Sequence, residues 1–197
     1  MTAGRVALVL PFLATLMIVP ACSGIPISSI YKLRNFDPLA TNIDAFYVAV
    51  RIPDKFSLLS NGVVLTIGTT GTERDAPHME NFYLQPLNEN EMITLLNKYG
   101  KPRTEIFAFR IGPVDQLRFN TLRSKMKRAK ANGATGSLSI DTKACRKHKE
   151  FPDKLLVSTF LKTEETDEFV PIILNHNLVE DFDGIDLGMF LPRCATS

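Results

Sequence analysis

The chain has no tryptophan and only three cysteines in 197 residues. Without Trp it lacks the aromatic side chain that favours the membrane interface, which argues against deep insertion of any of its helices. The cysteines offer no second Cys or pair of His at zinc-ligand spacing; Cys145 with His148 is the nearest approach. No two of the three histidines, His78, His148 and His176, fall within eight residues of each other, so no HxH or HxxxH metal pair exists. No Gly-x-Ser-x-Gly elbow occurs, and Gly68-x-x-Gly71 lacks the Lys-Ser/Thr of a phosphate loop. Charge of one sign is also missing: 23 Lys and Arg face 21 Asp and Glu, a balance that argues against nucleic acid. There are no internal repeats or low-complexity runs. No cofactor is implied, and no catalytic or metal-ligating set is assigned.

What is present begins at the N-terminus. Arg5 precedes an apolar run from Val6 to Val19, interrupted by Pro11, and Val19-Pro20-Ala21-Cys22 follows. At 1.5 Å per residue a helix of these 14 residues covers about 21 Å, short of the roughly 30 Å hydrocarbon core. A basic start, a short apolar centre and a small residue before the cut fit a cleaved secretory signal. The stretch from Val19 to Cys22 resembles the lipobox of bacterial lipoproteins. That resemblance implies cleavage before Cys22, a diacylglycerol on its sulfur and an acyl chain on the new amine. A plain leader cut after Ala21 and an uncleaved anchor are the alternatives. Three chains would hold the protein on a membrane, each buried CH₂ adding about 0.8 kcal/mol. By the sorting rule of enteric bacteria, Ser23 rather than Asp after the cysteine implies the outer membrane, facing the periplasm.

The boundaries expected are a signal peptide over 1–21, a lipidated N-terminus and tether over 22–41, and one β-rich domain over 42–197. Loss of the leader leaves 176 residues, enough for a proper core. With Cys22 lipidated, Cys145 and Cys194 remain as a pair that an oxidising periplasm would join. The loop closed is about 50 residues, worth roughly 4 kcal/mol at most in the chain-entropy model. Charge is segregated along the chain. Residues 113–150 hold ten basic and three acidic side chains, and residues 151–190 hold two basic and nine acidic. Either the two segments neutralise each other as neighbours, or the basic one faces lipid phosphate or an acidic partner.

Ser23 to Asn35 reads as a tether and Phe36-Asp37-Pro38 as a turn. Strands are expected at 45–52, 62–68, 81–86, 105–111, 136–142, 155–161 and 168–174, with the first two paired as antiparallel neighbours and Pro171 marking the last as an edge. A short helix is expected over 89–98. The main helix spans about 114–131: Pro113 suits its first turn, Asn132-Gly133 ends it, and Phe119, Leu122, Met126 and Ala129 form one narrow apolar stripe. Its other faces carry Arg118, Arg123, Lys125, Lys127, Arg128 and Lys130, either solvated or meeting a membrane or partner. The bunched carboxylates of Asp181-Phe-Asp183-Gly184-Ile-Asp186 depart from a calcium loop, because the twelfth position is Pro192.

These features describe an α+β, antiparallel β-sandwich-like domain of about seven strands with one main helix packed on it. The chain resembles small Gram-negative envelope lipoproteins in its lipobox and layout. The function expected is a membrane-anchored, non-enzymatic module that binds or positions an envelope protein. A small-ligand or lipid-binding module is the second reading, and an envelope hydrolase using Ser or carboxylates beside a histidine the third.

Overall fold

A computed structural model describes residues 26–71, 76–149, 153–182 and 191–195. The leader, Cys22, and Asp183, Gly184 and Asp186 of the acidic stretch lie outside the described residues. Among the described residues eight strands form two antiparallel sheets: β1 (Tyr47–Pro53), β2 (Phe56–Thr69), β3 (His78–Tyr83), β4 (Gln85–Pro86), β5 (Thr104–Arg110), β6 (Gly136–Arg146), β7 (Leu156–Lys162) and β8 (Val170–Asn177). Three α-helices accompany them: α1 (Ile27–Leu33), α2 (Glu89–Leu96) and α3 (Pro113–Ala131). The larger sheet runs β4-β5-β1-β7-β8 and the smaller β3-β2-β6. The expected sandwich-like α+β architecture is therefore present, with one strand more than expected.

β1 explains the layering. Val48, Val50 and Ile52 point to one side and meet β2, β6 and α3 residues in the main core. Ala49 points to the other side, aligned with Ala108 and Phe160, where Leu96 of α2, Leu87 and Phe169 cover it. A strand apolar on both faces belongs in the middle of a covered sheet. β1 accordingly pairs with β5 and β7, not with β2 as expected. The link Asp54-Lys55 is short enough for a hairpin, yet it carries the chain from one sheet into the other.

β2 starts six residues earlier than expected. Ser60-Asn61-Gly62, ahead of or at the start of the expected strand, forms a bulge, where pairing with β6 shifts between Leu58 and Val63. Asn61 takes a left-handed φ of 55°. A Cβ on Gly62 would stand 2.6 Å from two backbone oxygens, those of Leu59 and Lys143, so only glycine lets the strands close here. The expected third strand splits at buried Leu84: β3 stays in the small sheet and β4 crosses to the large one.

The expected tether is also partly structured. α1 forms behind Pro26 and packs on β8, with Ser29 buried and Leu33 against the core. Seven residues are too few for a stable isolated helix, so its order comes from docking, which periodicity does not reveal. Leu39 and Thr41 are buried as well. The fold therefore begins ahead of Asn42, and three residues separate Pro26 from Cys22.

The main helix matches its expectation. Gly112 precedes it, Pro113 opens it, and Gly133 at φ 91° closes it. Phe119, Leu122 and Met126 are buried and Ala129 half-buried. α2 begins with a capping box between Asn88 and Glu91. Among the described residues no helix is long and apolar enough to cross a membrane.

Candidate interaction surface

The six basic residues of α3 divide into two groups. Arg118 and Arg123 are tied inward. Arg118 stacks on Phe82 at 4.4 Å, pairs with Asp115 at 2.9 Å and Glu80 at 3.3 Å, and donates to the Asn81 carbonyl of β3. Arg123 stacks on Phe119 at 5.0 Å, and its Nη2 donates to the Thr41 carbonyl at 2.7 Å. Its buried Nε has no hydrogen-bond partner. Burial pulls this guanidinium below its ordinary pKa, against the opposing charge of Asp37.

Lys125, Lys127, Arg128 and Lys130 occupy the last two turns and are exposed. Among the described residues, no carboxylate lies within ion-pair distance of any of them. Their position favours the negative end of the helix dipole, but they otherwise project into solvent. The acidic turn between β7 and β8 does not neutralise them. Glu168 pairs with Lys32 and with Lys98 at 3.5 Å, Asp167 pairs with Lys162 at 3.3 Å, and Glu165 accepts from Thr41 Oγ1 at 2.9 Å. Thr41 bridges the basic helix and the acidic turn, accepting from Arg123 at its carbonyl and donating to Glu165 from its hydroxyl. Glu168 and Asp167 of the 151–190 segment therefore pair with Lys32, Lys98 and Lys162, none of which belongs to the basic segment 113–150, and not with the end of α3.

Two clefts flank that end of the helix. One, of about 540 Å³, lies between Phe36-Asp37-Pro38-Leu39, Met126 and Lys130 of α3, and Gly136-Ser137-Leu138 of β6. The other, of about 460 Å³, lies among Thr69, His78, Lys125, Arg128 and Asn132. The i, i+3, i+4 stripe places Met126 inward, so Lys125 and Lys130 emerge on opposite sides of it and each lines a different cleft. Val114 and Leu117 are exposed at the other end of the helix, 85% and 76% accessible. The turn expected at Phe36-Asp37-Pro38 is present. Its role as a cleft wall was missed, because only docking onto α3 and β6 creates it.

The remaining residues are placed as follows. Cys145 and Cys194 are joined, their sulfurs 2.02 Å apart across 49 residues of sequence. Around them Arg146 N donates to Pro192 O and Cys194 N to Arg146 O, so the C-terminal segment borders β6. His78 contacts Glu80 at 2.9 Å, His176 contacts Asp181 at 2.7 Å, and His148 lies in an exposed bend after β6. The three histidines sit on separate elements, and no serine hydroxyl among the described residues bonds to any of their rings. Among the described residues there is no group of three or more His, Cys, Asp or Glu that could hold a metal ion. Arg51, unremarked as a site in the sequence, is a buried cation in β1. The chain matches no family model, and no curated protein or solved structure is significantly similar to it.

Proposed function

We propose that this chain is a lipoprotein of the bacterial cell envelope, held through lipid on Cys22, whose domain binds another envelope protein. The observation that carries the binding role is the unneutralised end of α3. Among the described residues four cations there have no carboxylate partner, and three of them, Lys125, Arg128 and Lys130, line two clefts. Exposed charges of one sign steer an oppositely charged partner and set its register. The lipobox-like Val19-Pro20-Ala21-Cys22 supports the anchor. Ser23 supports an outer-membrane site facing the periplasm. The three residues between Cys22 and Pro26 would keep the domain within about 10 Å of chain from the bilayer.

The test is crosslinking in intact membranes followed by purification of the full chain. A stoichiometric envelope partner is expected with the native protein, and it is expected to be lost when Lys125, Lys127, Arg128 and Lys130 are all changed to Glu. A partner retained by that variant, or none with the native chain, would contradict the proposal. A second reading rests on the 540 Å³ cleft, whose Phe36, Leu39, Met126 and Leu138 suit a small apolar ligand or acyl chain. Native mass spectrometry of protein purified from membranes would show such a ligand as an adduct.

A further inference from the structure

α1 is arranged against the ordinary amphipathic pattern. It turns a serine inward: Ser29 is 1% exposed, and its hydroxyl has no hydrogen-bond partner among the described residues. Leu33, one turn on, packs against the main core. Ile30 and Tyr31 are left outside, 56% and 67% exposed. Burying an unpaired hydroxyl costs free energy, and so does leaving large apolar side chains in water. Turning the helix by one residue, about 100°, would hide Ile30 and release the serine. Single exposed apolar residues are common. An apolar pair opposite a buried, unpaired serine is not what packing within the domain selects, and such local conflicts mark functional surfaces.

Neighbouring contacts hold α1 in this rotation. Lys32 pairs with Glu168 of the turn between β7 and β8, and the helix lies on β8. Arg34 follows Ile30 and Tyr31 on the outward side. Its guanidinium carbon stands 3.8 Å from the Tyr31 ring centroid, and its Nη1 donates to the Tyr31 carbonyl at 3.4 Å. The outward face is thus an isoleucine, a tyrosine and a cation stacked on that tyrosine.

The chain ahead of α1 names what this face meets. Three residues separate Pro26 from Cys22, and the helix rise from Pro26 to Ile30 adds about 6 Å, so Ile30 and Tyr31 stay within about 20 Å of a lipid on Cys22. Their chemistry suits a bilayer interface. A tyrosine ring with its polar tip settles at headgroup level, and an arginine keeps its stem on apolar surface with its charge toward phosphate. Apolar contact and nearness to the lipid select the bilayer; charge does not, since Glu168 offsets Lys32. We infer that the outward face of α1, formed by Ile30, Tyr31 and Arg34, seats in the headgroup layer of the membrane and fixes the domain's orientation on it. This rests on the lipid anchor of the proposed function and is independent of the α3 cations.

The test uses the full chain purified from membranes and returned to phosphatidylcholine vesicles, plain or with bromine on the upper acyl carbons. The chain has no tryptophan. Tyr31→Trp therefore supplies a single probe on α1, and Leu117→Trp one on α3, where Leu117 is 76% exposed. Emission from Tyr31→Trp is expected to shift to the blue in vesicles and to fall at least roughly twofold with bromine, as the depth of an interfacial helix requires. Leu117→Trp is expected to stay unshifted and unquenched. Adding Ile30→Asp to Tyr31→Trp is expected to remove the quenching, with an unchanged thermal melt and with the protein still floating with the vesicles. No quenching of Tyr31→Trp in protein that floats, equal quenching at the two sites, or quenching that survives Ile30→Asp would overturn the inference and leave the anchor standing. A blue shift without quenching would do the same and identify a protein as the occupant. Protein that does not float with the vesicles at all would overturn the anchor reading, and this inference with it.

Discussion

Arg51 donates from Nη2 to Ser158 Oγ at 3.0 Å, on the face of β1 and β7 that carries Ala49 and Phe160, where the arginine is 5% exposed. Its other partners are also neutral: the Tyr99 carbonyl at 2.9 Å and Asn175 Oδ1 at 3.3 Å. No described carboxylate pairs with it, and burial lowers its pKa from the ordinary value. The guanidinium holds Asn175, which has a left-handed φ of 51°, against the irregular pairing of β8. Truncation would leave the Tyr99 carbonyl unpaired and open a cavity beside Phe160. Arg51→Ala is therefore expected to cost about 3 kcal/mol and Arg51→Met about half of that, because Met refills the volume. Urea denaturation of both variants checks the order; equal losses would show that packing contributes little.

The Cys145–Cys194 bond fastens the C-terminal segment to β6. Two backbone hydrogen bonds, from Arg146 to Pro192 and from Cys194 to Arg146, already join them. Reduction is expected to lower stability by about 2–4 kcal/mol through the unfolded chain. It should also expose 191–194 to proteolysis before the sheets. An unchanged urea midpoint under reducing conditions would contradict this.

Arg118 and Lys127 lie on one helix and are expected to behave differently. Arg118→Ala removes two ion pairs and the cover on the Asn81 carbonyl, so β3 amides should exchange faster and stability fall by about 1 kcal/mol. Lys127→Ala, at a residue with no carboxylate partner among the described residues, should stay within about 0.5 kcal/mol of the native chain. Hydrogen exchange and thermal melts of the two variants separate the roles.

α1 docking should depend on pH through Glu168. The hydrogen bond from Lys32 is the largest cause holding its carboxyl below the ordinary value of 4.5, with burial opposing and the charges of Lys32 and Lys98 adding to it. A depressed carboxyl contributes its stability above the unfolded pKa and loses it as pH falls through the folded one. α1 should be fully docked above about pH 5 and loosen below about pH 4. The group is well exposed, so the effect is small and local. Exchange at Ile30 to Leu33, unchanged between pH 6 and 3.5, would contradict it.

The sequence made some elements legible and hid others for physical reasons. α3 could be read because its signals are local: Pro113 at the start, Asn132-Gly133 at the end, and apolar residues at 3.6-residue spacing between. β5 and β7 could be read from short apolar runs bounded by polar turns. The pairing of β1 could not, because a two-residue link before Phe56 is the ordinary mark of a hairpin, and only burial of both Val50 and Ala49 on opposite faces places β1 in the centre. α1 was hidden because docking on β8 stabilises it. The basic face of α3 was visible as six residues, but Arg118 and Arg123 are distinguished from the rest by Glu80, Asn81 and Thr41, which lie 37 or more positions away in sequence. The cleft beside Met126 and Leu138 arises from segments remote in sequence and had no local mark.

Cys22 carries the proposed anchor, and the intact mass of the protein extracted from membranes tests it most directly. A chain beginning at Cys22 and carrying the mass of a diacylglycerol and an acyl group is expected, with the Cys22→Ser variant remaining uncleaved and unlipidated. An unmodified chain, cut after Ala21 or retaining its leader, would contradict it.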